Sequence, residues 1–338
     1  MRVFSPFRVA ASVIALLAAV AVALWLIPSG DYIFLPDPAD PVAPLVEVAG
    51  GRSQAASDGG GIYYVSVLVR RATLLERLFP GIREGSSLVP AEQVNPPGVG
   101  DRARRKEDLR QMTRSQTVAS AVALRALGYK VNVRSTGVRI AAVAPESPAA
   151  GKLETSDVVV AVDGEAVREP EDLRRLISVR KPGSRVRLSV RAAEGVRQIE
   201  LRTVADPREP ERARIGVLGE GEADIDLPIR VEIDLDGVGG PSAGLAFALD
   251  VLEELGRDVD RGYEVAATGA IRLDGTVEPV GGVKQKVFGA RRAGVDVFLV
   301  PAGDNAATAQ RYAGDLRIIP VRNFAGALRA LGTLPPKT

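Results

Sequence analysis

The chain contains neither cysteine nor histidine among its 338 residues. No disulfide can join distant segments, and a zinc site would have to consist of carboxylates alone, so each domain must be held together by its own apolar core. The same absence removes thiolate nucleophiles and imidazole bases from any catalytic site. If the chain cuts a covalent bond through a nucleophile, a serine with a lysine base is the arrangement that remains. We predict neither a cofactor nor a metal.

Length and charge narrow the possibilities further. A chain of 338 residues is long for one domain and sufficient for two or three. The formal net charge of +2 and the aromatic content of 4% leave no basic surface interleaved with stacking rings, so we do not expect nucleic acid as a partner. The sequence has no Gly-x-x-x-x-Gly-Lys-Ser/Thr loop, and we therefore expect no use of ATP.

An uncharged apolar run extends from Val9 to Ile27 and is preceded by Arg2 and Arg8. A helix of this length approaches the ~30 Å thickness of a bilayer core, and the basic flank favours a cytoplasmic N-terminus. The run predicts a transmembrane helix over residues 9–27, with residues 1–8 in the cytoplasm. It thus predicts a single-pass protein of the cell membrane whose later domains are extracytoplasmic. A cleaved signal peptide with a small-x-small site at residues 19–21 or 21–23 is the alternative.

The segment after this run has no recognisable chemistry. Residues 28–44 are rich in proline and predict an extended linker between the membrane and the globular body. Residues 45–131 predict an α/β connecting region that packs on the later domains. Within it, Ile62–Val69 has the composition of a strand, and Asp101–Leu127 has that of a helix ending before Gly128.

A characteristic series of short motifs follows between residues 132 and 206. Its members are Gly137-Val-Arg-Ile-Ala-Ala-Val, Ser147-Pro-Ala-Ala, Asp157-Val-Val, Asp163-Gly and Lys181-Pro-Gly. The series resembles a bacterial PDZ domain. The resemblance implies that an extended peptide adds as a strand beside residues 138–143, with its terminal carboxylate near residues 136–138. The predicted peptide-binding residues are Thr136, Gly137, Val138 and Ile140. A structural wedge that binds no ligand is the alternative.

A glycine-rich turn carries the first candidate catalytic residue. An alternating strand pattern over Ile229–Leu235 leads into Gly237-Val-Gly-Gly-Pro-Ser242, and an apolar helix follows as far as Gly256. Ser242 is thus placed at a helix N-terminus, where free N–H groups and the helix dipole favour a developing oxyanion. Gly240, Pro241 and Ala243 shape this turn. A structural N-cap and a phosphate-binding turn remain open as alternatives, because serine is a preferred N-cap and such turns also bind phosphate.

A second motif supplies the candidate base. Gly281-Gly282 precedes a predicted helix from Val283 to Ala293. At about 100° per residue, Lys286 shares the apolar face of this helix, whereas Lys284 lies at the far edge of that face and is expected to be solvated. Burial lowers the pKa of a lysine by up to 3–5 units, which would let Lys286 accept the serine proton at neutral pH. A lone lysine can instead extend along an apolar face with its charge in water.

The motifs together resemble the proteolytic domain of Lon-type serine peptidases. They are Gly-Gly-Pro-Ser242-Ala-Gly, Ala-Thr268-Gly, Gly-Gly-Val-Lys-Gln-Lys286 and Gly-Val-Asp-Val-Phe-Leu-Val-Pro301. The resemblance implies a Ser242–Lys286 dyad, a supporting Thr268 that holds the amine, and an α/β domain of the ribosomal protein S5 domain 2-like fold over residues 207–338. The chain departs from the family where acidic residues are usual, at Gly239 and Ala270.

The expected fold class is therefore α+β and multidomain, with a transmembrane helix, a PDZ domain and a Lon-type proteolytic domain. This combination resembles the membrane-bound Lon-like proteases of Gram-positive bacteria. It implies an ATP-independent serine endopeptidase that acts on peptide segments of membrane or envelope proteins, and a homo-oligomeric ring. The alternatives are a non-catalytic PDZ scaffold with an inert Lon-like domain, and a small-molecule kinase built on a related turn.

Overall fold

The computed structural model describes residues 6–51, 59–95, 101–192, 195–235, 237–335 and 337. The chain divides into two compact units. The outer unit consists of Met1–Lys130 and Leu227–Thr338, and the inserted unit consists of Val131–Asp226.

The first part of the outer unit contains four helices and four strands among the described residues. In chain order they are α1 (Pro6–Leu26), β1 (Pro28–Pro41), a 3₁₀ turn (Ala43–Leu45), β2 (Val46–Val48), β3 (Gly61–Thr73), α2 (Leu74–Leu78), β4 (Ser87–Val89), α3 (Ala91–Val94) and α4 (Asp101–Ala126).

The inserted unit is mainly a sheet covered by one helix. Its elements are β5 (Asn132–Val143), β6 (Val158–Val162), β7 (Glu165–Ala166), α5 (Pro170–Ser178), β8 (Arg185–Ala192), β9 (Gly195–Arg202), β10 (Val204–Ala205), β11 (Ala213–Arg214) and β12 (Val217–Asp226). The main sheet has the order β12-β5-β6-β8-β9, with β7 paired to β6. Leu173, Leu176 and Ile177 of α5 are buried in the core of this unit.

The second part of the outer unit carries the two helices that the sequence associates with catalysis. The elements are β13 (Val231–Ile233), α6 (Gly244–Glu254), β14 (Glu264–Ala267), β15 (Ala270–Ile271), β16 (Val277–Glu278), α7 (Val283–Ala293), β17 (Val297–Pro301), α8 (Asp304–Tyr312), β18 (Arg317–Val321) and α9 (Phe324–Gly332). The α+β content expected from the sequence is confirmed.

One six-stranded sheet combines both parts of the outer unit, in the order β18-β17-β14-β3-β1-β4. Strands β3, β14, β17 and β18 are mutually parallel, whereas β1 and β4 run antiparallel to their neighbours. Parallel strands buried on both faces are continuously apolar, as Val297–Pro301 is. Helices α7 and α8 cover this sheet with the buried residues Val283, Val287, Ala290, Ala306 and Ala309.

The segment predicted as a linker, residues 28–44, is instead largely strand β1. Tyr32 and Ile33 are buried, and the strand pairs with β3 along most of its length. Its prolines are accommodated because the register shifts between Pro36 and Ala39, so that the ladder is interrupted where proline cannot donate. Residues 45–131, predicted as a separate connecting region, contribute β3 and β4 to the same sheet as β14.

The predicted transmembrane helix is not supported. Within the described ranges, no helix combines the length and the apolar character that crossing a membrane requires. Helix α1 ends at Leu26, and β1 begins at Pro28. The prediction of a single-pass membrane location with extracytoplasmic domains is therefore corrected; residues 1–5 of the predicted cytoplasmic N-terminus lie outside the described residues.

Candidate active site

Helix α4 fixes the turn that precedes Ser242. The Gly240 N–H donates to the Asp108 carbonyl at 2.8 Å, and the Ser115 hydroxyl donates to the Pro241 carbonyl at 3.1 Å. Gly240 has a φ of +90°, a conformation that favours glycine. The turn is therefore held from a helix more than a hundred residues earlier in the chain.

The main chain of Ser242 is anchored to the strand region that follows β14. Its carbonyl accepts the Gly269 N–H at 2.9 Å and the Thr268 hydroxyl at 3.1 Å. The Leu245 N–H in turn donates to the Gly269 carbonyl at 3.1 Å, which closes a small network across the start of α6. Thr268 is fully buried, so this network is protected from water.

The hydroxyl of Ser242 does not cap helix α6. The helix begins at Gly244, and its N-cap position is Ala243, with no side-chain capping bond. The hydroxyl oxygen lies instead 2.8 Å from the Lys286 Nζ. Ser242 therefore does not cap α6, and its hydroxyl lies within hydrogen-bond distance of the Lys286 amine.

Lys286 projects from the first turns of α7 into the protein. Gly282 precedes the helix in the left-handed conformation, with a φ of +70°, and an added Cβ there would lie 2.8 Å from the side chain of Val67. The Lys286 Nζ donates to the Val65 carbonyl at 2.6 Å, and the residue is only 2% exposed. Because burial disfavours the ammonium form, the pKa of Lys286 is lowered to about 7.

The neighbouring lysine has different surroundings. Lys284 is half-buried, donates to the Ser86 carbonyl at 2.8 Å and lies 5.6 Å from the ring centre of Tyr312. Between the two lysines, the buried Gln285 donates to the Gly85 carbonyl and the Ser87 hydroxyl, each at 2.9 Å. These contacts attach α7 to the segment around β4 and fix which lysine faces Ser242.

The structure brings together Ser242, Lys286 and Thr268, although the contact of Thr268 differs from the expected one. The sequence predicts that its hydroxyl holds the lysine amine, whereas the hydroxyl donates to the Ser242 carbonyl. The main-chain carbonyl of Val65 holds the amine instead. Val65, Asp108 and Ser115 were missed because main-chain carbonyls and a distant helix leave no motif in the sequence.

The predicted peptide site beside residues 138–143 must also be corrected. Strand β5 is paired on both edges, with β12 on one side and with β6 at Val138 and Arg139 on the other. No peptide strand can be added there. Gly137 and Ile140 face β12 partners in the ladder, and the Thr136 hydroxyl accepts a hydrogen bond from Arg191 at 3.1 Å.

The edge strand of this sheet is β12, and a groove lies between it and α5. The groove has a volume of about 780 Å³. Leu173 and Ile177 contribute apolar side chains from the helix, and residues 215–219 form the opposite wall. Several guanidinium groups also line the groove: Arg174, Arg208, Arg212 and Arg214. The carboxyl groups of Asp206 and Glu209 line the groove as well.

Comparisons with known proteins agree with this geometry. Residues 232–331 match the Lon protease (S16) C-terminal proteolytic domain, and residues 125–203 match the PDZ domain. The chain contains a Lon-type proteolytic domain and a PDZ domain. The Lon-type domain is that of a serine peptidase, and it includes Ser242, Thr268 and Lys286 within its matched range.

The relatives match about a third of this chain or less. Lon protease 1 of Sorangium cellulosum is 41% identical over 95 residues, which are 28% of this chain and 12% of that protein. Lon protease 2 of Bacillus subtilis is 32% identical over 112 residues, which are 33% of this chain and 19% of that protein. The matched stretch thus spans less than a fifth of the length of these two relatives.

A solved structure resembles the PDZ domain. The PDZ domain of the SdrC-like protein from Listeria innocua is 24% identical and covers 25% of this chain and 92% of that chain, with a TM-score of 0.23.

Proposed function

We propose that this chain is a serine endopeptidase in which Ser242 is the nucleophile and Lys286 is the general base. The distance of 2.8 Å between Ser242 Oγ and a buried lysine Nζ is the observation that supports this most strongly. A lysine of ordinary pKa near 10.4 is about one part in 2,500 neutral at pH 7. With its pKa lowered to about 7, roughly half of Lys286 is neutral at that pH and able to accept a proton.

The proposed reaction has two stages. Ser242 Oγ attacks the carbonyl carbon of the scissile peptide bond while its proton passes to Lys286 Nζ. The tetrahedral oxyanion forms near the N-terminal end of α6, where the helix dipole favours negative charge. When the C–N bond breaks, the leaving amine takes the proton from Nζ, and an ester remains on Ser242. Water then gives a proton to Nζ and attacks the ester. As the ester bond breaks, Nζ returns that proton to Ser242 Oγ, which releases the acid product and restores the serine.

The Val65 carbonyl and the Thr268 hydroxyl have positioning roles in this proposal. The carbonyl accepts one N–H of the Lys286 amine at 2.6 Å, which orients the nitrogen toward Ser242. The Thr268 hydroxyl holds the main chain of the nucleophile. Neither group exchanges a proton with the substrate.

We further propose that the PDZ domain binds peptide segments with a free carboxylate in the groove between α5 and β12. Strand β12 lies at the end of the strand order and offers main-chain hydrogen-bonding groups, and the groove arginines offer positive charge. Because the sequence has no phosphate-binding Walker loop, we propose that the chain cleaves flexible polypeptides without nucleotide. We also propose that the chain assembles into a homo-oligomeric ring. Mass photometry measures the number of chains in that assembly.

The test is cleavage of an unfolded protein such as reduced casein by the full chain in the absence of nucleotide. Ser242→Ala and Lys286→Met should abolish cleavage. Lys284→Ala should retain most of it, because this lysine faces Ser86 and Tyr312. Full cleavage by Lys286→Met, or equal loss in Lys284→Ala, contradicts the assignment of the base. An inactive wild type that still binds peptide would favour the scaffold alternative.

A further inference from the structure

A group of carboxylates lies at the end of α6 opposite to Ser242. The carboxylate oxygens of Glu253, Asp258 and Asp260 lie within 4.8 Å of one another. Helix α6 ends in a turn at Gly256, whose φ is +85°, so that the chain folds back and brings the two aspartates beside Glu253. The C-terminal end of a helix carries partial negative charge, which further favours a cation at this place.

The loop holds each of these carboxylates through one of its oxygens. Glu253 Oε1 accepts the N–H groups of Val259 and Asp260 at 2.5 and 2.8 Å. Asp258 Oδ1 accepts the Arg261 N–H at 2.8 Å, and Asp260 Oδ1 accepts the Gly262 N–H at 2.7 Å. These bonds orient the three groups before any ion binds.

A fourth carboxyl group provides an independent indication of a ligand. Asp250 is 1% exposed, and its Oδ2 atom is buried without a hydrogen-bond partner. It lies three residues before Glu253 on α6, on the same face of the helix. The acidic groups that act on Asp250 are those of Glu254, Glu253 and Asp260. A buried carboxyl group surrounded by acidic groups lacks the compensation that a bound cation would supply.

We propose that Glu253, Asp258 and Asp260 bind one calcium ion, with the unpartnered Asp250 carboxyl buried on the same face of α6 as Glu253. All the available ligands are oxygens, which are the ligands of hard cations. Two oxygens on opposite sides of a calcium ion are about 4.6–5.2 Å apart, since Ca–O bonds measure about 2.3–2.6 Å. The three carboxylate oxygens all lie within 4.8 Å of one another, so one such ion can reach all three.

The ion would act on stability and not on the chemistry at Ser242. Eleven helical residues separate the two ends of α6, which corresponds to about 16 Å. The ion would join the end of α6 to the loop that enters β14, a central strand of the six-stranded sheet. It would thereby offset the mutual repulsion of the carboxylates.

The experiment uses the full chain with the Ser242→Ala substitution, stripped with EDTA, so that binding is measured independently of any peptidase activity. Calcium titration by calorimetry should show one site per chain, and saturating calcium should raise the unfolding midpoint by several degrees. Asp258→Asn and Asp260→Asn should each weaken binding at least tenfold. Asp315→Asn, which changes an exposed carboxylate elsewhere in the outer unit, should bind like the parent.

Two results would overturn the proposal. One is an absence of calcium binding by the parent chain at millimolar concentration, and the other is unchanged binding in Asp258→Asn. Asp258 is exposed, so this variant should fold even if Asp260→Asn does not, and circular dichroism in EDTA verifies it. Binding of magnesium as tight as that of calcium would contradict the assignment of the ion.

Discussion

The Lys286 Nζ lies 2.6 Å from the main-chain carbonyl of Val65, a residue 221 positions earlier in the chain. The carbonyl lies on β3 and the lysine on α7, so the packing of the helix on the sheet sets the position of the amine. A carbonyl can accept a hydrogen bond from the neutral amine as well as from the ammonium ion. It therefore orients Lys286 in either protonation state, while burial lowers the pKa of the amine.

The first prediction concerns the cost of burying this amine. The pKa of Lys286 falls from an ordinary value of 10.5 to about 7 on folding. The stability contributed by such a group is complete above the unfolded pKa and is lost as the pH falls toward the folded pKa. Lys286→Met should thus raise the free energy of unfolding by about 2–3 kcal/mol more at pH 6 than at pH 9. Urea denaturation at the two pH values measures this; an equal effect at both would contradict the lowered pKa.

Thr268 gives a second prediction, because its hydroxyl holds the Ser242 carbonyl. Thr268→Val keeps the shape of the buried side chain and removes one hydrogen bond, worth about 1–1.5 kcal/mol. We expect kcat to fall about tenfold, with KM little changed, and Thr268→Ser to restore it. The pH midpoint of activity should not move. A displaced midpoint would instead place Thr268 on the lysine amine, as the sequence predicts.

The groove of the PDZ domain gives a third prediction. A peptide with a free C-terminal carboxylate should bind more tightly than its amidated form, because the groove is lined by arginines. Arg214→Gln should reduce this preference about tenfold, and Arg187→Gln, which lies outside the groove, should preserve it. Fluorescence anisotropy with labelled peptides measures both constants. Equal binding of acid and amide by the wild type would exclude carboxylate recognition here.

Asp250 gives a fourth prediction. Its pKa rises to about 8 on folding, mainly through burial. The stability that this group contributes is complete below its unfolded pKa and is lost as the pH rises through the folded value. In EDTA, Asp250→Asn should therefore stabilise the chain on the order of 4 kcal/mol more at pH 8 than at pH 5. A stabilisation that is independent of pH would show that the carboxyl ionises normally in the folded chain.

The proximity of Ser242 and Lys286 could be predicted from the sequence for two reasons. Few residue types that can act as a base are present, and the buried face of a helix follows from local periodicity. With no histidine or cysteine, few bases remain, and the apolar positions Val283, Val287 and Ala290 place Lys286 on a buried face. The observed α7 has the predicted bounds, Val283–Ala293. The partner of the amine could not be predicted, since every residue except proline has the same main-chain donor and acceptor.

Two errors in the sequence analysis, the peptide-binding edge and the linker, share a physical origin in pairing between distant segments. Strand β12 was assigned to the following domain, although it occupies the edge of β5 at which the peptide was expected. The proline-rich residues 28–44 contain few local strand signals, yet β3 and β4 pair with them on both sides. Only the tertiary partners reveal these strands.

The most direct test is the rate at which Ser242 reacts with a fluorophosphonate probe between pH 5 and pH 9, with the modified residue located by mass spectrometry. The rate should rise with pH around a midpoint near 7, the pKa of Lys286. It should fall to background in Lys286→Met and persist in Lys284→Ala. Labelling of Ser242 that is independent of pH, or equally fast in Lys286→Met, would contradict the account of a buried lysine base.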